Sequence, residues 1–146
     1  MAVTATVYNN YKLKCIDNST KIALATDTIK VALVTSSYTP DIDTHDFWDD
    51  VSANEASGTG YTAGGATLAN PTVAVVAASD LAKFDADDVA WTITTALSAR
   101  YAVVYKSTGT ASTSPLILYF DLGSTYALSS GTLTLTFSAS GILTLT

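Results

Sequence analysis

The chain has 146 residues, 48% of them apolar or aromatic and only 14% charged, which is one domain's length with ample material for a core. Thirteen acids against seven bases give a net charge of −6, and such a surface repels phosphate, so direct nucleic-acid binding is not expected. The single cysteine, Cys15, rules out an internal disulfide and any metal site built on several cysteines.

Ala2 to Val7 reads as an opening strand. Tyr8, Tyr11 and Cys15 recur at helical spacing, so a short helix is expected over Val7 to Ile16, ending at Asp17-Asn-Ser, with Cys15 as a small buried hydrophobe. Residues 1–25 thus form a short helix or an N-terminal arm. They lack a charged stretch followed by an apolar run, so no signal peptide is read there. No apolar run in the chain approaches the roughly 20 residues that span a bilayer, and no membrane association is expected.

Thr28 to Ser36 is the first strong strand. Its centre, Val31-Ala-Leu-Val34, is apolar without alternation, which predicts burial on both faces. Ser37-Tyr-Thr-Pro40 breaks it. The segment from Asp41 to Glu55 carries six of the thirteen acids. Asp43 or Thr44 is placed to cap a helix from about His45 to Ala53, on which Phe47 and Val51 share a face. Asp41, Asp43 and Asp46, beside the lone His45, are candidate ligands for a divalent cation, because hard ions favour clustered carboxylates. The loop is not an EF-hand, since its sixth position is Asp46 and its twelfth is Ser52. Helix capping and a solvated loop explain the same residues without a metal.

Ser57 to Gly65 is a long Gly/Ser/Thr loop around Tyr61. Strands follow at Thr72 to Ala77, Ala82 to Phe84 and Val89 to Thr94, the last with Val89, Trp91 and Ile93 on one side. Between them Asp85-Ala-Asp87-Asp88 forms a second acidic run. A tight turn with Asp side chains on backbone amides is the expectation, and a bound calcium at Asp85, Asp87 and Asp88 is the alternative. Arg100 to Lys106 and Pro115 to Leu122 are strands flanking a polar loop. The end of the chain, Gly131 to Phe137 and Ile142 to Thr146, alternates Leu with Thr around a Ser138-Ala-Ser-Gly141 loop, which predicts a β-hairpin with one apolar and one hydroxyl face.

These elements predict a mainly β fold: a single-domain antiparallel β-sandwich of about eight strands with one or two short helices. The abundance of Thr and Ser, 24 and 15 residues, agrees with it. No constellation suits catalysis. The glycine loops lack the lysine and helix of a phosphate site, and nothing links Cys15 to His45. The chain is therefore read as a binding or structural protein without a cofactor. Trp48, Trp91, Tyr101 and Tyr105 are expected in the core. Tyr38, Tyr61 and Tyr126 are the candidate partner-binding residues, since exposed tyrosines anchor interfaces.

Five stretches in order, Thr26 to Asp41, Thr44-His-Asp-Phe-Trp-Asp-Asp-Val51, Ser57-Gly-Thr-Gly-Tyr-Thr-Ala-Gly-Gly65, Phe84-Asp-Ala-Asp-Asp-Val-Ala-Trp91 and Ala99-Arg-Tyr-Ala-Val-Val-Tyr-Lys106, resemble small tailed-bacteriophage virion proteins. The resemblance covers the chain from about residue 26 onward. It implies a virion location after assembly in the host cytoplasm, and it supplies no catalytic residues. Its first implication is a head decoration (cement) protein that binds the major capsid protein or other virion proteins, as a homo-oligomer and in the first instance a trimer. A tail component is the alternative, such as a tail-tube, tail-terminator or head–tail connector ring. A carbohydrate- or receptor-binding fibre module comes third.

Overall fold

A computed structural model describes residues 5–146; the start of the expected opening strand, Ala2 to Thr4, lies outside the described residues. In chain order the elements are β1 (Ala5–Val7), α1 (Asn9–Asp17), β2 (Ile29–Val34), α2 (Asp49–Ser52), β3 (Ala66–Thr67), β4 (Thr72–Val76), β5 (Leu81–Asp85), β6 (Val89–Ile93), β7 (Leu97–Lys106), β8 (Leu116–Leu128), β9 (Gly131–Leu135) and β10 (Leu143–Leu145). Every pairing is antiparallel. The strands form a five-stranded sheet in the order β1-β8-β7-β2-β3, a three-stranded sheet β10-β5-β4 and a two-stranded ribbon β6-β9. The chain is a mainly β domain, as its alternation predicts.

The β7–β8 hairpin is the spine. It pairs from Tyr105↔Leu116 through Tyr101↔Asp121 to Leu97↔Leu128, with register shifts between Val104 and Tyr105 and between Ala99 and Tyr101. β2 lies against β7 from Ile29↔Lys106 to Val34↔Tyr101. Val31, Ala32, Leu33 and Val34 have no exposed surface, as the unbroken apolar run predicts. Burying such side chains stabilises by about 1.5–3 kcal/mol each, so this strand anchors the fold.

The two faces of the large sheet are covered differently. On one, Leu33 and Leu122 meet Trp91, Leu133 and Leu135 of the β6–β9 ribbon, and Phe120 packs on Phe137 with ring centres 5.8 Å apart. On the other, α1 and the segment 35–56 lie over the tyrosine-rich face. Tyr8 sits 5.6 Å from Tyr119, Tyr38 meets Tyr101 edge-on at 5.8 Å, and Trp48 stacks on Tyr105 at 4.5 Å. Trp48, Trp91 and Tyr105 are buried, whereas Tyr101 packs on the core but stays partly exposed.

The C-terminal hairpin does not form. β9 pairs with β6, Leu133 opposite Trp91, and β10 pairs with β5, Leu143 opposite Phe84. The Ser138–Gly141 turn, closed by Gly141 N–H to the Ser138 carbonyl at 2.8 Å, is a corner where the chain changes sheets. Asp85–Asp88 makes the matching corner between β5 and β6. The two corners run side by side as one bent antiparallel ribbon. Alternation sets which side chains share a face, but not which strand lies alongside.

Two further expectations are corrected. The helix over His45 to Ala53 shrinks to α2, because the backbone of residues 46–48 is already engaged. Trp48 N–H donates to the Ser114 carbonyl, Leu116 N–H donates to the Asp46 carbonyl, and Phe47 bridges Pro115. Cys15 is exposed, because α1 turns Tyr11 and Lys14 inward instead. Lys14 reaches Asp46 and lies 5.1 Å from the Phe47 ring, which satisfies its charge.

Gly65 lets the 57–65 loop cross β2. Its φ is +74°, and a Cβ there would lie 2.1 Å from the Val31 carbonyl oxygen and 2.6 Å from Ala32 Cα. Gly65→Ala is expected to cost at least about 2 kcal/mol, from left-handed strain plus backbone overlap. Gly109→Ala, also at positive φ but with nothing within 4 Å, should cost only the strain. Urea unfolding midpoints of the two variants test this; equal losses would show that the close approach is not what selects glycine.

Candidate partner-binding surface

Four of the five acids of segment 41–50 hold that segment in shape. Asp41 Oδ1 accepts the backbone N–H groups of Asp43 and Thr44 at 3.0 and 3.1 Å. Asp50 Oδ2 accepts those of Asp46 and Phe47 at 2.8 and 3.2 Å. Asp43 takes an amide hydrogen of Asn9, and Asp46 pairs with Lys14, so both tie the segment to α1. His45 Nδ1 lies 2.8 Å from the Tyr38 hydroxyl. The second acidic run behaves likewise. Asp85 holds Lys83 at 3.0 Å and its neighbour's N–H, Asp87 accepts from Asn70 at 2.6 Å, and Asp88 accepts Phe137 N–H at 2.8 Å across the corner. The backbone amides held by Asp41, Asp50, Asp85 and Asp88 follow the turn expectation for Asp residues, but neither Asp43 nor Thr44 caps a helix: α2 begins after Trp48 with no side-chain cap. Among the described residues no group of three or more His, Cys, Asp or Glu side chains is placed to hold a metal ion.

Several carboxyls titrate below the ordinary range. The Thr44 hydroxyl and two backbone N–H groups hold Asp41 down. Burial pushes Asp27 up, but Lys106 at 2.9 Å and the Ala23 N–H outweigh it. Arg100, whose Nη2 donates to Asp121 Oδ2 at 3.0 Å, together with the Gly123 N–H, holds Asp121 down. A depressed folded pKa stabilises the fold above the ordinary value near 4, and that stability is lost as pH falls through the folded value. The melting temperature should therefore be flat above about pH 5 and fall below about pH 4. Asp27→Asn combined with Asp121→Asn should flatten the acid limb. An acid limb unchanged in the double variant would remove these pairs as its cause.

The tyrosines do not form one surface. Tyr38 is 2% exposed, its hydroxyl 2.9 Å from that of the fully buried Tyr8. Burial pushes its pKa up to about 12. It is a core residue, because segment 35–46 folds down onto β7 and β8. Tyr61 is half-buried. Its hydroxyl donates to Glu55 Oε1 at 2.7 Å and accepts Leu33 N–H at 3.0 Å, and the same Glu55 oxygen accepts Gly64 N–H at 2.6 Å. Here the edge of β2 continues beyond the short β3, and Tyr61 supplies the acceptor that Leu33 needs. It is thus a brace rather than an exposed anchor. Tyr126, on the outer half of β8, is 37% exposed and is the one candidate left at the surface.

The surface also shows a feature that the sequence reading passed over. Val73 and Val75 on β4 are 54% and 80% exposed, and Leu145 on β10 is 54% exposed. All three lie on one face of the β10-β5-β4 sheet, since Val75 registers with Ala82 and Leu145, and Val73 with Phe84 and Leu143. No charged side chain occurs between Glu55 and Asp80, or after Asp121. The molecule therefore carries an acidic segment over one side of its large sheet, while β4, β9, β10 and outer β8 offer only apolar and hydroxyl side chains. Thr72-Val-Ala-Val-Val76 held the signal: an apolar run like that of β2, but placed at a sheet edge where Val73 and Val75 stay exposed. No family model matches the chain, and neither a curated protein nor a solved structure matches it.

Proposed function

We propose that this protein is a structural component of a tailed-bacteriophage virion, and specifically a decoration protein that binds the outside of the head and stabilises the shell. The observation that carries the proposal is the ordered set of five stretches that resemble small virion proteins. Their places in the fold support a structural role. Thr26–Asp41 holds β2, Thr44–Val51 holds the Trp48 cover, Ser57–Gly65 is the brace on the β2 edge, Phe84–Trp91 is the sheet corner, and Ala99–Lys106 lies within β7. In this chain these stretches hold the layers together. Binding would proceed by burial of apolar side chains from the uncharged strands against neighbouring capsid subunits, each copy adding contacts that oppose shell expansion. The acidic segment would stay in solvent and limit non-specific association.

Antibody-gold labelling of purified virions, viewed by electron microscopy, tests this. Label scattered over the head is the expected result. Label confined to the neck, tail or fibres would overturn the decoration role and favour the tail component instead.

A further inference from the structure

We propose that β4 is a self-complementary edge that pairs with β4 of a second copy of this chain, about a twofold axis at Ala74. Only one side of β4 is paired: Thr72 to Val76 register with Asp85 to Leu81 of β5. β4 ends its sheet, and among the described residues no strand lies on its outer side. The backbone N–H and C=O groups that point outward can be satisfied there by water or by another extended strand, and by no other kind of partner in a ladder. Edge strands of folded proteins ordinarily carry Lys, Pro or a bulge that blocks such pairing. Thr72-Val-Ala-Val-Val76 carries none of these, and Pro71 merely marks where the ladder must stop.

The other edges differ. β1, β3 and β10 span only two or three residues. The backbone of β6 is approached by the 57–61 loop, with Thr94 N–H donating to the Thr59 carbonyl. β9 has already turned Leu135 into the core. Among the described edge strands, β4 alone leaves valines exposed.

The second copy fits for two reasons. In an antiparallel pair centred on Ala74, Thr72 meets the partner's Val76 and Val73 meets the partner's Val75, so each exposed valine finds its complement. The apolar row Leu145, Ala82, Val75 would then run on through Val73, Phe84 and Leu143 of the other copy, making one six-stranded sheet. Charge does not oppose the contact, although the chain as a whole carries −6. The nearest following acid, Asp80, lies beyond the strand and falls at opposite ends of the pair.

A five-residue ladder buries less than the roughly 1,200 Å² of a stable interface, so association in solution is weak and strengthens where copies are held close together. The pairing does not depend on where the protein works.

Sedimentation equilibrium from about 10 μM to about 1 mM tests it, a span chosen to bracket weak affinities. The expected result is a concentration-dependent dimer whose dissociation constant rises at least about tenfold in Val75→Lys, a variant that leaves the core untouched. In a Cys15→Ser background, Ala74→Cys should form an interchain disulfide readily, because residues directly opposed across antiparallel strands have Cα atoms about 4.5–5.5 Å apart, within disulfide reach. Val76→Cys, four residues off its own copy, should not. A monomer throughout with no cross-link at residue 74 would overturn the proposal. So would an oligomer indifferent to Val75→Lys, or preferential cross-linking at residue 76.

Discussion

Trp48→Ala is expected to lower the unfolding free energy by about 3–5 kcal/mol, a large share of the roughly 5–15 kcal/mol that holds a domain together. The indole is 6% exposed and lies parallel to the Tyr105 ring, 4.5 Å away and tilted by 6°. Stacking of this kind adds about 0.5–1.5 kcal/mol to the burial itself. The residue also joins two distant parts of the chain through its backbone. Its N–H donates to the Ser114 carbonyl at 2.9 Å, and its own carbonyl accepts Val51 and Ser52. Truncating the side chain leaves those bonds spanning a void between segment 41–56 and β7. Trp48→Phe keeps a stacked ring and should recover part of the loss. Urea unfolding followed by near-ultraviolet circular dichroism measures both variants. A loss under about 1 kcal/mol for the alanine variant would mean that the segment does not pack on this face of the sheet.

Tyr61→Ala is the second large effect, again about 3–5 kcal/mol, and here Tyr61→Phe separates the causes. The phenylalanine variant keeps the ring near Trp91, at 6.2 Å, but strips Leu33 N–H of its acceptor and Glu55 of a donor. An unsatisfied buried amide costs about 1–3 kcal/mol, so the phenylalanine variant should lose that much. Amide hydrogen exchange at Leu33 should accelerate in both variants, which a loss of ring packing alone would not cause. If Tyr61→Ala instead kept wild-type stability and lost only partner binding, Tyr61 would be an interface anchor after all.

The fold was legible where a strand has two unlike faces. Val89, Trp91 and Ile93 turn inward while Ala90 and Thr92 face out, and Leu118, Phe120 and Leu122 line one side of β8, as a period of two requires; Leu116 leaves that row, because the register with β7 shifts between Leu118 and Leu116. The unbroken apolar run of β2 told of two covered faces. The helix after Tyr8 was also visible, although the residues it buries were not. Where a local pattern has two readings, legibility failed. Phe47 and Val51 stand at helical spacing, yet Phe47 bridges Pro115 in an extended segment. Tyr38 and Tyr61 sit in polar loops, and polarity of the neighbours says nothing about whether a loop lies flat on a sheet. In both cases a partner of the hydroxyl remote in sequence, the Tyr8 hydroxyl for one and the Leu33 N–H for the other, draws the ring inward.

By itself, then, the sequence determined that the chain is mainly β, which faces of its strands are apolar, and that its acids cluster in two turns where Asp can hold backbone amides. Those properties depend on residues within a few positions of each other. Tertiary structure alone decided that the last two strands part to join β6 and β5, that two of three candidate tyrosines are braces, and that β4 is left with an open edge. Each of those outcomes turns on which distant segment arrives alongside. That is a competition among long-range pairings of similar local quality, settled by the burial and hydrogen bonding of the whole domain.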